Sequence, residues 1–142
     1  MAIERLGIDI RILSNLIYHK MNQITTETEN LTVHQCFILQ YLSQNTDKEI
    51  YQKDIEELFS IKRSTANQML RTLENRGYIS REVSAQDSRK NIITPTEEGI
   101  ASSEHLTQHM YQFMKKLHGD ISTEELEQFE KTLKKLWHNI ES

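Results

Sequence analysis

A chain of 142 residues lies within the ordinary range of one domain and can bury about two-thirds of the surface its unfolded form exposes, so 1–142 is expected to fold as a single unit. With 37% hydrophobic and 27% charged residues, one Pro and four Gly, the composition excludes a disordered polar chain, and with no apolar run longer than Cys36 to Leu39 it excludes a membrane-spanning one. Charges within Met1 to Arg11 exclude the apolar core of a signal peptide and a single cysteine excludes an internal disulfide, so a cytoplasmic location and no membrane partner are expected.

In chain order, Leu6, Ile10, Leu13, Ile17, Met21 and Ile24 recur at steps of three or four and predict a long amphipathic helix to about Thr28. Thr32 with Gln35 forms a capping box, with Leu31 and Cys36 at the staple positions, and starts a second helix that runs to about Gln44. Asn45 and Asp47 break the pattern. A short third helix, Gln52 to Phe59, carries Ile55, Leu58 and Phe59 on one face, and Ser60 and Ile61 turn the chain.

The fourth helix, Lys62 to Arg76, places Ala66, Met69, Leu70 and Leu73 on a buried stripe and is stopped by Gly77. At 100° per residue, Ser64, Gln68, Arg71 and Asn75 fall opposite that stripe, with Asn67 at its edge. Tyr78 to Val83 and Asn91 to Thr94 are β-prone and predict a two-strand hairpin with a polar tip from Ser84 to Lys90. A fifth helix is predicted to begin near Thr94 to Thr96, with Pro95, Glu97 and Glu98 in its first turn and Leu106, Met110, Phe113 and Leu117 as its stripe. After Gly119, a capping box of Ser122 and Glu125 opens a sixth helix whose Leu126, Phe129, Leu133, Leu136 and Ile140 have the spacing of a seam between helices. The fold class is therefore mainly α (α+β), with six helices and one hairpin.

The net charge of −4 argues against a polyphosphate partner unless cations are concentrated locally. They are: between Lys62 and Lys90, seven cations face three acids, a local +4 that leaves −8 for the rest. The second, third and fourth helices with the hairpin can fill a small core, about 32–95, which leaves the stripes of about 1–30 and 96–142 needing cover. They pack on one another in a monomer or on a second copy, and a twofold homodimer is expected because it doubles the set of cations offered to a polyphosphate partner.

The order of elements resembles the MarR family, the multiple-antibiotic-resistance type of winged helix-turn-helix regulators. Asp87-Ser88-Arg89 followed by Thr96 and Gly99 matches that family's wing signature, and Ile61 to Gly77, with Ser64-Thr65 early and Leu73-Glu74-Asn75-Arg76-Gly77 late, is similar to its recognition helix and exit turn. The chain departs from the pattern at Pro95, where Leu is usual, at Ser60, where Gly usually closes the turn, and at Tyr51 and Lys62, where small hydroxyl caps usually stand. A missing cap costs about 1 kcal/mol, so these changes bear on helix starts and not on the fold.

The resemblance implies a sequence-specific regulator of transcription, a ligand-responsive repressor that binds double-stranded DNA as a homodimer on a palindromic operator. In that reading the fourth helix enters the major groove, where Arg71 matches guanine edges and Asn67 or Gln68 adenine edges. Lys62, Arg63, Ser64 and Thr65 suit phosphates at the helix N-terminus. The resemblance further implies that Arg89 enters the minor groove with Asp87 holding the wing, and Lys90 adds a phosphate contact. A small-molecule effector is implied, its pocket expected between the DNA-binding lobe and the first and fifth helices.

Other readings remain open. Cys36 is either a buried packing residue or an oxidant sensor, and its apolar neighbours favour packing. His105 and His109 have a spacing that can hold a metal, but without a compact third ligand in sequence they read as a solvated face, so no metal or cofactor is expected. No nucleophile with its base and no phosphate loop is present, so no enzyme is expected, and the rival class is a winged-helix module that binds protein.

Overall fold

The computed structural model describes residues 2–142, and among these the elements run α1 (Ile3–Glu29), α2 (Val33–Gln44), β1 (Ile50–Tyr51), α3 (Gln52–Leu58), α4 (Arg63–Asn75), β2 (Ile79–Val83), β3 (Asn91–Pro95), α5 (Glu97–His118) and α6 (Thr123–Glu141). Packing divides the chain into two compact units, Met1–Met110 and Tyr111–Ser142, with the boundary inside α5. No described helix is long and apolar enough to cross a membrane.

In the first unit, Leu39, Leu42, Ile55, Leu70, Leu73 and Ile93 are buried in one core supplied by α2, α3, α4 and the sheet. The capping box at the start of α2 forms as its residues predict: Gln35 N–H donates to Thr32 Oγ1 at 3.2 Å, and Thr32 N–H donates to Gln35 Oε1 at 3.0 Å. The staple residues Leu31 and Cys36 are both buried beneath it. At the end of α1, Asn30 takes the left-handed conformation at φ 54°, which its short amide tolerates.

The sheet has three strands in the order β1-β3-β2, all antiparallel. The hairpin of β2 and β3 was legible, but β1 was not. Its two residues, Ile50 and Tyr51, pair with Ile93 and Ile92, and two residues are too few to display a period. Pro95 also differs from expectation, for it ends β3 opposite Ile79 instead of entering the helix. Thr96 caps α5 in its place, its hydroxyl accepting from Gly99 N–H at 3.1 Å and donating to the Gly77 carbonyl at 2.6 Å.

Gly99 is required by that approach. A Cβ there would stand 2.0 Å from the Tyr78 carbonyl oxygen, which itself accepts from Thr96 N–H at 3.0 Å. Two departures noted in the sequence have visible consequences. Ser60 sits at φ 50°, a strained position for a residue with a side chain, and Lys62 precedes α4 with no side-chain cap. Tyr51 likewise offers no capping oxygen, but Asp54 accepts from Tyr51 N–H at 2.8 Å and supplies half of the missing cap of α3.

In the second unit, Gly119 at φ 54° ends α5, and Ser122 Oγ accepts from Glu125 N–H at 3.2 Å to start α6. Only this half of the expected capping box forms. No residue of α6 is buried: Phe129, Leu133, Trp137 and Ile140 are exposed, Ile140 by 85%.

Candidate nucleic-acid interface

The amphipathic pattern of α4 sets the interface. Burying Ala66, Leu70 and Leu73 in the core turns Ser64, Gln68, Arg71 and Asn75 to solvent, while Asn67 and Thr65 are half-buried at the border. The N-terminus of α4 is open. Lys62 contributes no capping oxygen, so the first backbone N–H groups of the helix face solvent beside the exposed side chains of Lys62, Arg63 and Ser64.

Pairing of β1 with β3 carries the start of α3 and the root of the wing to this same end of α4. A groove of about 280 Å³ forms there, lined by Tyr51, Gln52, Lys53, Asp54, Glu56, Arg63, Arg89, Lys90 and Asn91. A second depression beside it is lined by Gln52, Arg63, Ser64, Asn67 and Asn91. Arg63, Arg89 and Lys90 therefore share one concave surface, although they stand on two elements separated by 25 residues of chain. Lys90 lies over the Tyr51 ring, its Nζ 5.0 Å from the centroid. Lys53, Gln52 and Asn91 are additions that sequence reasoning missed, because the two-residue pairing of β1 is what brings them in.

The wing tip is built on Asp87. Its Oδ1 accepts from the Arg89 backbone N–H at 3.0 Å and from Arg89 Nε at 3.2 Å, while Ser84 N–H donates to the Lys90 carbonyl at 2.8 Å to close the hairpin. The backbone N–H of Arg89, then its guanidinium, hold the Asp87 carboxyl below the ordinary value. Arg89 itself is 90% exposed, so the contact aims the start of the side chain and leaves its outer nitrogens free.

Two of the seven cations counted in this stretch point elsewhere. Arg76 donates to the carbonyls of Asn30 at 2.5 Å and Glu29 at 2.6 Å and stacks 5.2 Å from the Tyr78 ring, tying the exit of α4 to the end of α1. Arg81, from β2, donates to Glu74 at 3.2 Å and to Asn67 Oδ1 at 2.8 Å. The carboxamide oxygen of Asn67 is thus already engaged, and its amide N–H groups are what it presents. Lys62, Arg63 and Arg71 make no ion pair among the described residues.

The remaining candidates lie away from this surface. Cys36 is buried in the core, and that burial pushes its thiol up to about 12, which keeps it protonated at neutral pH. His105 and His109 are exposed on α5, where His105 Nδ1 meets Glu29 Oε1 at 3.0 Å. Glu29 also accepts from the Tyr78 hydroxyl at 2.9 Å. Partial burial raises its carboxyl, but the hydrogen bonds from His105 and Tyr78 outweigh this and hold it below the usual range.

Comparison with known proteins agrees with this geometry. The sequence profile of the family described as transcriptional regulator SarA/Rot matches residues 20–106. Among solved structures, the S. aureus MepR-DNA complex has a TM-score of 0.85 at 29% identity, over 94% of this chain and 96% of that one. The transcription regulator MarR from Oenococcus oeni PSU-1 has a TM-score of 0.71 at 32% identity, over 96% and 99%. The heme sensor protein PefR from Streptococcus agalactiae shares the fold, at TM-score 0.70, 24% identity and coverage of 96% and 95%. With an α4 framed by a three-stranded wing and a sequence profile matched from α1 into α5, the chain belongs to the SarA/Rot family of transcriptional regulators, of the MarR type of winged-helix proteins.

Proposed function

We propose that the protein is a ligand-responsive repressor that binds a palindromic DNA operator as a homodimer, a function of binding and not of catalysis. The observation that carries this reading is the shared surface of the α4 N-terminus and the wing: Arg63, Arg89 and Lys90 line one groove beside the exposed Gln68 and Arg71. Its similarity to a MepR captured on DNA supports the same reading.

In this assignment α4 enters the major groove. Arg71 reads guanine, Gln68 reads adenine through both its amide atoms, and Asn67, whose oxygen is held by Arg81, contributes donors. Lys62, Arg63, Ser64, Thr65 and Lys90 hold phosphates, joined by Lys53, and Arg89 enters the minor groove with Asp87 setting its direction. The exposed stripes of α1 (Ile10, Leu13) and α6 (Phe129, Leu133, Ile140) supply the dimer contact. Effector binding acts by changing the spacing of the two reading heads.

Selection of bound sequences from random duplexes tests the proposal. The expected product is a palindromic motif with half-sites about one helical turn apart. With Lys53, Lys62, Arg63 and Lys90 on phosphates in each protomer of a dimer, log Kobs falls against log salt with a slope of about −7. Salt-insensitive binding, no enriched motif, or a monomer by sedimentation at micromolar concentration rejects it.

A further inference from the structure

We infer that His105 and His109, backed by the Glu29 carboxylate, form a binding site for one divalent transition-metal ion of the zinc, nickel or copper(II) class. One turn apart on α5, the two rings stand edge to face at 81° with centroids 4.7 Å apart, and their Nε2 atoms approach to 3.2 Å. Two imidazole nitrogens bound tetrahedrally at about 2.0–2.1 Å from one zinc ion lie about 3.3 Å from each other, so the separation of the pair matches that of a chelate.

The second feature is absent from the i, i+4 spacing and comes from α1. His105 Nδ1 meets Glu29 Oε1 at 3.0 Å, the carboxylate–imidazole arrangement that fixes the tautomer of a metal-bound histidine and leaves its Nε2 lone pair outward. Glu29 is itself anchored, because the Tyr78 hydroxyl donates to its other oxygen at 2.9 Å and its side chain is only 17% exposed. The negative partner is therefore pre-positioned, and the His105 side chain, 50% exposed, leaves room for solvent on the metal.

Among the described residues no third His, Cys, Asp or Glu completes a compact ligand cluster. The protein supplies two nitrogens and water fills the remaining positions, which suits exchangeable binding and not a structural zinc. With His105 Nδ1–H directed at Glu29, the tautomer that fits the 3.2 Å contact has His109 Nε2–H donating to His105 Nε2. Binding moves that proton from His109 Nε2 to its Nδ1, so both lone pairs face the ion.

The test is titration of the untagged full-length protein with Zn²⁺, Ni²⁺ or Cu²⁺, followed by calorimetry, with the copper(II) electron paramagnetic resonance spectrum as a second readout. One ion per chain is expected, with two-nitrogen coordination. His109→Ala, a change at an exposed position that leaves the Glu29 contact in place, is expected to abolish that binding event. Glu29→Gln is expected to weaken it by about 10–100-fold while keeping the two-nitrogen spectrum. Absence of binding overturns the inference, as does an affinity and stoichiometry that His109→Ala and His105→Ala both leave unchanged, because the ion then resides on His19, His34, His118 or His138.

Discussion

Arg81 of β2 reaches across to α4 and donates to Asn67 Oδ1 at 2.8 Å, so the wing's first strand holds a side chain on the border of the exposed face of α4. The same guanidinium pairs with Glu74 at 3.2 Å and is only 17% exposed. Strand and helix are therefore joined by one cation that has no freedom left to meet phosphate.

Arg81→Met removes these charge-assisted bonds while keeping most of the apolar stem. Stability is expected to fall by about 1–3 kcal/mol in urea unfolding. Selected duplexes are expected to lose preference at one position per half-site, where Asn67 is no longer held. Unchanged stability shows that the link is idle.

Gly99→Ala sets a methyl group 2.0 Å from the Tyr78 carbonyl, where only backbone movement relieves the overlap. A loss of about 3 kcal/mol is expected, larger than the roughly 1 kcal/mol for Thr96→Val, which removes the cap alone. Comparable losses for the two variants contradict the close packing at Gly99.

Arg71→Ala and Arg89→Ala are expected to differ in kind. Loss of Arg71 costs about 1–3 kcal/mol on the cognate operator and relaxes specificity at one base pair. Loss of Arg89 weakens binding most where A·T-rich sequence flanks the half-sites, because a narrow minor groove is where its charge is attracted. Competition gel shifts on matched duplexes separate the two patterns.

The Asp87 carboxyl is held below its ordinary value by bonds it accepts only in the folded wing. Its contribution is therefore fully present above the unfolded carboxylate value, declines progressively as pH falls below that value, and is gone once pH passes below the lowered folded value, where the folded wing itself titrates late. Titration followed through the Arg89 backbone amide by NMR is expected to show this late transition, and Asp87→Asn is expected to remove it.

Cys36, with its thiol near 12 and its side chain buried, is expected to resist peroxide and alkylating agents in the native protein and to react at the ordinary rate when unfolded. Rapid native labelling in a timed thiol assay restores the oxidant-sensing reading. Cys36→Ser is expected to leave DNA binding unaffected by oxidant, as in the parent chain.

What the sequence by itself determined is what repeats or caps locally. Six helices are readable from 3.6-residue periods and from short-range signals such as Thr32-x-x-Gln35, and the exposed face of α4 follows from its buried stripe. The fifth helix begins later than expected because Thr96 outcompetes Pro95 as its boundary, a choice made by the Gly77 and Tyr78 carbonyls from another part of the chain.

Only the tertiary structure decided how the charges divide. Seven cations look alike in a row of letters, yet Arg76 and Arg81 are consumed by the Asn30 and Glu29 carbonyls and by Glu74 and Asn67, while Arg63, Arg89 and Lys90 converge on one groove. The physical reason is that a hydrogen-bond partner 14 or 46 residues away leaves no local period. The two-residue pairing of β1 with β3 likewise costs no visible pattern, but it carries the wing to the start of α4.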